Sequence, residues 1–475
     1  MKLTNIIVIV VLVVLCAFGW LSYASNSASQ VAEYDAYLSQ AKNCMERGLY
    51  QRAIENYLSA LDGKADEDIY LNIADAYSRR FKEAPADTFD DYLAFMKTAL
   101  NAFPGNRTLV EHLVSLCTNE ELGTEDYKTL YTYLKVAIAN GCNDEEMLDL
   151  YAHARYAYSL RSGAYRSIID SGNGRYSVLT EYGWNIYVLS EGYQLTSYWN
   201  YAGPSSSDGI TVITGSMENE DPDSVDGIAV VEESRIFDAS SSMVLGIFQN
   251  PVTTAGIFAE GLIPAQVNGK YGYYDDYADH KFGSFDYAGT FQDGLAAVET
   301  EGKWVLVDTA GMVARDGFEQ IVIDLSGLYL VNDTIMVKES GSYVVYNSKW
   351  ERKAVLSCDE VDILSSDGII AFCTGGKWGF ADMTGNVVIT PEYTNARSFS
   401  NGLAAVQNSD GLWGYIDREN RLIIDYIFTD AGYMSSAGVC PVQEFEVSYD
   451  ADTGEQIVIP GQWRLLYLTN GITED

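Results

Sequence analysis

Histidine is almost absent from this 475-residue chain, which contains only His112, His153 and His280. Nucleophilic triads and most zinc sites depend on imidazole groups, so both have few possible donors here. Two of the histidines fall where the sequence has helical periodicity and one where it has strand periodicity. The sequence contains no recognisable catalytic constellation, and we predict that the protein is not an enzyme.

Basic residues are also scarce, with 30 Lys and Arg against 67 Asp and Glu and a formal net charge of −37. A surface of this sign repels the phosphates of nucleic acids, so a nucleic-acid partner is excluded. It favours cationic partners or metal ions, or else it serves only solubility. The hydrophobic fraction of 47% excludes a disordered chain.

Cysteine is infrequent, and no Cys-x-x-Cys pair or metal-ligand spacing appears. Cys16 lies in an apolar run, and the other six form an even set that permits disulfides in an oxidising compartment. Cys358 and Cys373 could face each other on neighbouring strands. The preferred alternative is that all six are small buried hydrophobic residues.

Charge is missing altogether from Ile6 to Ala24, a run of nineteen residues. At a rise of about 1.5 Å per residue, such a helix spans roughly 28 Å, close to a hydrocarbon thickness. Lys2 on the preceding side predicts a cytoplasmic N-terminus and an extracytoplasmic remainder. We predict a single-pass anchor in the cell membrane, with secretion after signal-peptide cleavage within 22–29 as the alternative.

Helical periodicity fills the next region, which we assign to residues 30–165. Its first two stripes contain Ala41, Ala53 and Ala60 at positions where two helices approach closely, with Gly48 in the turn and Tyr57 between them. This spacing resembles a tetratricopeptide repeat, and looser units follow. The resemblance implies a helical solenoid that is either a spacer or a binding groove for peptides or proteins.

Residues 170–475 repeat one pattern at intervals of 33 to 39 residues, beginning with "GKYGYYD" at Gly269. The third position of most copies is a large aromatic residue, which we predict to be core between successive small sheets. These positions are Tyr271, Trp304, Tyr343, Trp378, Trp413 and Trp463. The glycines that follow two of them, Gly379 and Gly414, are expected to leave room for a neighbouring backbone or ring.

Turn signals divide each copy into short strands. Asp293-Gly294 and Asn401-Gly402 predict hairpin turns in which both residues have positive φ. Pro391 marks a strand end, because proline cannot donate to a ladder. Three or four strands in about 35 residues are typical of a propeller blade.

Two stretches carry a family resemblance: "GKWGFADMTGNVVITPEY" at 376–393 and "GLAAVQNSDGLWGYIDRENRLII" at 402–424. Both resemble the WG-repeat family, and the resemblance extends over about 225–468. It implies a repeat β-domain, propeller-like, of the kind found in bacterial surface or secreted proteins. The family has no agreed catalytic residues, so none is transferred to this chain.

The number of repeats predicts about seven blades. The seven units lie at Gly227, Gly261, Gly294, Asn332, Gly368, Gly402 and Gly438. Closing a ring requires a strand from before residue 225 to pair with the segment Trp463 to Leu468. An open array with exposed edges is the alternative.

One acidic stretch, "SYDADTGEQ", offers a weak calcium site at Asp450, Asp452 and Glu455. Its spacing departs from the calcium-loop pattern, and a solvated hairpin tip is the preferred interpretation. No other cofactor is predicted.

The sequence therefore predicts an α + β multidomain protein with an anchor and linker at 1–29, a tetratricopeptide-like helical domain at 30–165 and a propeller-like WG-repeat domain at 170–475. We expect a non-catalytic binding or scaffold protein that recognises a protein, peptide or glycan at the bacterial cell surface. One alternative is a cell-wall or glycan hydrolase, which would require a carboxylate pair in a pocket at the ring's mouth with one raised pKa. Another is a purely structural spacer.

Overall fold

The computed structural model describes residues 31–61, 66–119, 126–190, 193–194, 197–220, 228–449 and 456–471. The chain divides into two compact units, the first ending at Ala157 and the second beginning at Tyr158. The described part of the first unit is helical, and the second is built from strands.

No helix within these described ranges combines the length and the apolar character needed to cross a bilayer. The single-pass anchor and the cell-membrane location predicted from the sequence are corrected on this finding. The run at residues 6–24, on which both rested, lies outside the described residues, and it is not supported as a spanning helix.

The helical unit contains seven helices in its described part. They are α1 at residues 31–46, α2 (Tyr50–Leu61), α3 (Glu67–Glu83), α4 (Phe89–Ala102), α5 (Arg107–Cys117), α6 (Tyr127–Ala139) and α7 (Glu145–Arg155). Four of them begin at a side-chain cap, because an Asp or Asn oxygen accepts a backbone N–H three residues on. The caps are Asp66, Asn106, Asp126 and Asp144.

The residues that suggested a tetratricopeptide-like pair lie in the core of this unit. Ala41 and Ala53 are fully buried, and Tyr57 and Ala60 are nearly so. Gly48 has a φ of +70° in the turn between α1 and α2, a conformation that favours glycine. The helices behind this pair are held by ring contacts such as that of Tyr77 with Tyr92, whose centroids lie 5.3 Å apart.

The strand unit is a ring of eight four-stranded antiparallel sheets, here called blades 1 to 8. Each blade is listed from its innermost strand outward. Blade 1 is β2 (Ser167–Asp170), β3 (Arg175–Leu179), β4 (Trp184–Val188) and β5 (Tyr193–Gln194). Blade 2 is β6 (Tyr201–Ala202), β7 (Ile210–Glu220), β8 (Ile228–Asp238) and β9 (Met243–Ile247). Blade 3 is β10 (Val252–Ala255), β11 (Ile263–Val267), β12 (Lys270–Tyr274) and β13 (His280–Phe285).

The other blades follow the same order. Blade 4 is β14 (Tyr287–Ala288), β15 (Leu295–Thr300), β16 (Lys303–Asp308) and β17 (Val313–Phe318). Blade 5 is β18 (Gln320–Val322), β19 (Ile335–Glu339), β20 (Ser342–Tyr346) and β21 (Arg352–Leu356). Blade 6 is β22 (Glu360–Val361), β23 (Ile369–Thr374), β24 (Lys377–Asp382) and β25 (Val387–Tyr393). Blade 7 is β26 (Asn395–Ala396), β27 (Ala404–Gln407), β28 (Trp413–Ile416) and β29 (Leu422–Phe428). Blade 8 is β30 (Asp430–Ala431), β31 (Val439–Tyr449), β32 (Gln456–Leu468) and β1 (Tyr158–Leu160).

The predicted count of seven blades is wrong, and the error lies at the start of the ring. Gly227 lies outside the described residues, and the inner turn of blade 2 is at Gly209, where φ is +92°. Residues 167–194 form a complete blade of their own. Its sequence matches the repeat only in outline, so the copy count omitted it.

The turn after the innermost strand has the same conformation in blades 3, 4, 5 and 7. At Asp293-Gly294 and Asn401-Gly402 both central residues have positive φ, as predicted. Glu260-Gly261 and Asn332-Asp333 have the same conformation. Such turns match the right-handed twist of the strands that they join.

The first strand of the unit closes the ring. β1 pairs antiparallel with β32, with Tyr158 opposite Leu468 and Leu160 opposite Leu466. Tyr165 and Trp463 exchange two further backbone hydrogen bonds of 2.9 and 2.8 Å. The expected closure on the segment Trp463 to Leu468 is therefore confirmed, and the open array is excluded.

The large side chains between blades come from the position two residues after the aromatic position of each repeat. Tyr273, Leu306, Phe380 and Tyr415 are all fully buried there. The ring of Tyr273 in blade 3 packs at 4.7 Å from Phe291 at the inner turn of blade 4. The Tyr273 and Tyr415 hydroxyls donate to the carbonyls of Gly289 and Gly432, in the next blade, at 2.8 and 3.0 Å.

The aromatic repeat positions themselves are less uniform. Trp413 and Tyr343 are buried, whereas Tyr271, Trp304, Trp378 and Trp463 are half-buried. Gly379 and Gly414 lie against the outer strand of their own blade. A Cβ at these positions would come within 2.6 Å of the Ile389 carbonyl oxygen and within 2.5 Å of the Ile424 carbonyl oxygen, respectively.

This packing predicts an order of stability effects for substitutions in the ring. Tyr415→Ala should lower the free energy of unfolding by about 3–5 kcal/mol, because it removes a fully buried ring between two blades. Tyr415→Phe should cost about 1–3 kcal/mol, since the Gly432 carbonyl loses its donor. Trp378→Ala should cost less than Tyr415→Ala. Denaturant unfolding of the full chain measures all three, and an equal or larger loss for Trp378→Ala would contradict the assignment.

Candidate functional site

Five loops of the ring surround a cavity of about 270 Å³. They follow the innermost strands of blades 5, 6, 7, 8 and 1, which lie next to one another around the ring. Innermost strands surround the axis of a propeller, so the cavity lies at one end of that axis. We call it the axial cavity. Its lining residues include Asp170, Gly172, Asp324, Ser326, Ser365, Ser366, Ser400, Tyr433, Ser435 and Ser436.

The residue that follows the innermost strand determines what each blade presents near the axis. In blades 1 to 4 and 6 to 8 this residue donates its amide to the second strand of the same blade. It is glycine in blades 2, 3, 4 and 8: Gly203, Gly256, Gly289 and Gly432. Blades 6 and 7 carry Asp362 and Arg397 at the same position. The repeat therefore holds the backbone constant while the side chains near the axis differ.

Asp170 is the last residue of the innermost strand of blade 1. Its Oδ1 accepts the Gly172 amide at 2.8 Å. Burial raises the pKa of this carboxyl to about 6, because loss of water disfavours the charged form. Within the described ranges, no basic side chain forms an ion pair with it.

Asp324 lies across the cavity in the loop after the innermost strand of blade 5. Its Oδ1 accepts the amides of Ser326 and Leu328 at 2.9 and 2.8 Å, which fixes the turn. Burial raises its pKa above the ordinary value, and these amides only partly oppose the shift. The axial cavity thus contains two carboxylates that no described cation neutralises.

A third acid near the axis, Asp362, has a different environment. The Tyr433 hydroxyl donates to Asp362 at 2.8 Å, and the Ser398 amide donates to it at 2.6 Å. Arg397 donates to Asp430 at 2.8 Å, and its guanidinium lies 5.4 Å from the Tyr433 ring centroid. Burial raises the pKa of Asp362, while the Arg397 charge acts to lower it. This network contains a guanidinium beside its acids, unlike the surroundings of Asp170 and Asp324.

The cavity narrows where two opposite blades touch. The Ser326 hydroxyl of blade 5 donates to the Ser171 carbonyl of blade 1 at 3.4 Å. Gly172 has a φ of +74°, and a Cβ there would lie 2.8 Å from the Ser326 Oγ. The positive φ favours glycine at this position, where the two loops meet across the axis.

The three histidines are far apart in sequence, and each has different surroundings. His112 Nδ1 lies 2.8 Å from the Tyr92 hydroxyl in the helical core, and His153 is exposed on α7. His280 Nε2 lies 3.0 Å from the Gly283 carbonyl at the outside of blade 3. None of them lines the axial cavity.

The six cysteines from Cys44 onward are free thiols, including Cys358 and Cys373. Burial raises the pKa of Cys117 and Cys440 to about 12 and that of Cys358 to about 11, so these thiols stay protonated at neutral pH. The calcium candidates Asp450, Asp452 and Glu455 lie outside the described residues. Within the described part, no three His, Cys, Asp or Glu side chains are arranged to hold a metal ion.

Sequence reasoning missed Asp170, Asp324 and Asp362, because it aligned the repeats on their glycine turns. The usable signal lies a few residues earlier, at the end of the innermost strand, where charged residues stand in places that other blades fill with glycine. An alignment on that strand would have selected Asp362 and Arg397 directly.

Eight four-stranded sheets in a closed ring define the strand unit as a β-propeller. The family model described as "WG containing repeat" matches residues 284–304, 378–412 and 413–444. The propeller therefore carries WG repeats, which confirms the resemblance seen in the sequence. A search of curated proteins found no relative that matches the chain.

Several solved structures are distantly similar. BamB from Moraxella catarrhalis is 11% identical, with a TM-score of 0.42, over 66% of this chain and 100% of its own. The Cps50 (Swd1) propeller of Myceliophteria thermophila is 10% identical, with a TM-score of 0.31, over 53% and 96% of the two chains. The WD40 propeller of Doa1 is 11% identical, with a TM-score of 0.29, over 66% and 97%. Similarity at this level supports no inference about a ligand or partner.

The raised pKa of Asp170 predicts a pH dependence of stability. The pKa of Asp170 rises from 3.8 to about 6 on folding, so between these values the folded protein holds a proton that the unfolded chain has released. The contribution of this group to the free energy of unfolding therefore falls as pH rises from about 4 to about 6. Asp170→Asn should remove this fall and stabilise the protein above pH 7 by up to about 3 kcal/mol.

Urea unfolding of both proteins across this range measures the difference, with Asp410→Asn at an exposed turn as the control. Parallel pH curves for wild type and Asp170→Asn would contradict the assigned burial.

Proposed function

We propose that this protein is a non-catalytic binding scaffold, and that its axial cavity receives a cationic side chain of a protein or peptide partner. The observation that supports this function is the pair Asp170 and Asp324, two half-buried carboxylates that share one cavity without a neutralising cation among the described residues. A buried charge without a partner destabilises the folded state. A cationic ligand would neutralise both groups.

The size of the cavity fits this occupant. Pockets that bury a drug-sized molecule usually exceed about 300 Å³, so about 270 Å³ suits one side chain better than an extended ligand. Serine hydroxyls from four blades surround the carboxylates and offer further hydrogen bonds to an ammonium or guanidinium group. The remainder of the partner would lie on the face of the ring.

A glycan hydrolase is the second candidate, because two carboxyls with raised pKa values do line one cavity. Acid–base catalysis needs two groups whose environments move their pKa values apart. Here burial moves both pKa values in the same direction, so neither group is set apart as the ionised partner. Binding is therefore the better-supported function. If the wild-type protein released reducing ends from a polysaccharide and Asp324→Asn did not, the hydrolase would be favoured instead.

The helical unit supports the scaffold part of the proposal. Its buried small residues and stacked rings form a rigid set of helices, and arrays of this kind present extended surfaces to other proteins. We propose that it contributes a second binding surface.

The proposal predicts a charge-selective ligand. Short peptides that carry one lysine or arginine should bind the full chain, with affinity at least about tenfold weaker in Asp170→Asn/Asp324→Asn, because the charge-assisted bonds are lost. Binding should weaken as pH falls through about 6, where Asp170 becomes protonated. Isothermal titration calorimetry measures both effects.

A matched control removes two negative charges elsewhere, at the exposed residues Asp410 and Glu446, as Asp410→Asn/Glu446→Gln. If this control loses as much affinity as the cavity variant, general acidity explains the binding and the axial site is refuted.

A further inference from the structure

A group of aromatic side chains in the β3–β4 turn, at the start of β4 and in the segment before β6 is separate from the axial cavity. Tyr182 and Tyr198 are exposed, by 72% and 45%, and their ring centroids lie 5.6 Å apart at an interplanar angle of 56°. Trp184 and Trp199 lie beside them in sequence, and both are half-buried. We call these four residues the aromatic notch.

The backbone beneath the notch is rigid. Trp184 and Trp199 exchange two backbone hydrogen bonds of 2.8 and 2.9 Å. Both indoles pack on the core shared by blades 1 and 2, where the Trp199 ring lies 5.4 Å from Phe237. The exposed tyrosines therefore stand on an anchored base.

The turn that carries Tyr182 is also constrained. Thr180 Oγ1 accepts the Tyr182 amide at 3.1 Å and donates to the Gly183 carbonyl at 2.9 Å. Gly183 has a φ of +130°, and a Cβ there would lie 2.7 Å from the Trp199 carbonyl oxygen. Only glycine allows this close approach, which brings Tyr182 against Tyr198 before any ligand arrives. Such preorganisation lowers the entropic cost of binding.

The charges around the notch are negative. The Glu181 carboxylate accepts a hydrogen bond from the Tyr182 hydroxyl and raises the pKa of that phenol. Glu232, also exposed, accepts from the Asn200 side chain at 3.0 Å, next to Trp199. The faces of aromatic rings carry partial negative charge as well. These groups therefore complement a cation and not an anion.

We propose that the aromatic notch binds an arginine side chain presented by a protein partner. A guanidinium is planar, stacks on aromatic faces and donates to carboxylates in a fixed fork, so it satisfies the rings and Glu181 together. A lysine ammonium would satisfy the charge but not the planar contact. A sugar would use the ring faces and leave the acidic surroundings unexplained.

The test uses the full chain in an Asp170→Asn/Asp324→Asn background, so that binding at the axial cavity does not contribute. The probes are a fluorescent Gly-Arg-Gly-Arg-Gly peptide and its citrulline counterpart, which has the same shape without the charge. Fluorescence anisotropy at low salt should show the arginine peptide binding at least about tenfold more tightly. Tyr182→Ala and Tyr198→Ala should each weaken binding by about two- to fivefold, the range for cation–π contacts at exposed sites.

Two further variants serve as controls. Tyr182→Phe keeps the ring face and should retain most of the affinity, whereas Tyr277→Ala removes an unrelated tyrosine of 68% exposure and should change nothing. Equal binding of the arginine and citrulline peptides would overturn the proposal. Unchanged binding of the arginine peptide to Tyr182→Ala/Tyr198→Ala would also overturn it. The same holds if an oligosaccharide binds and Tyr182→Ala lowers its affinity more than that of the arginine peptide.

Discussion

The propeller depends on the contact between one blade and the next, where a large buried side chain fills the space between two sheets. In blade 7 this side chain is Tyr415, whose hydroxyl also donates to the Gly432 carbonyl of blade 8. A four-stranded sheet has two faces and buries neither alone, so each blade needs a neighbour on both sides. Only a closed ring supplies both neighbours to every blade. Closure by β1 on β32 is therefore a condition of the fold and not an addition to it.

Packing between the sheet faces stabilises the ring, so the side chains of the axial loops contribute little to its stability. Their backbone is set by turns of positive φ and by the amide that bonds back to the second strand. Side chains in these loops can then vary among blades without disturbing the ring. The chain uses this freedom to place Asp170 and Asp324 around one cavity, although burial of an unneutralised carboxylate opposes folding. Groups retained against stability commonly mark functional sites.

The sequence carries enough information for the parts of the fold that depend on local chemistry. Asp293-Gly294 and Asn401-Gly402 predict their own turns, because few residues accept positive φ twice in succession. Closure on Trp463 to Leu468 follows from the need to remove sheet edges. Blade 1 was not predicted, because its strands are defined by pairing with one another and not by the repeat motif. Residues 158–160 likewise form a strand because they pair with β32, and no local sequence pattern predicts this pairing.

The site was harder to predict for a related reason. Tryptophan is the most distinctive residue of the motif, but the residue two places later fills the gap between blades. This residue is a tyrosine, a phenylalanine or a leucine, depending on the blade. Asp170 and Asp324 are two of 67 acids, and only the ring brings them to one cavity from blades on opposite sides of the axis. A net charge of −37 attracts cations over the whole surface, but a screened long-range field cannot select among them. Selection needs fixed groups with unfilled bonding capacity. The axial carboxylates and the aromatic notch are two such places, and each is held by backbone contacts that exist before a ligand binds.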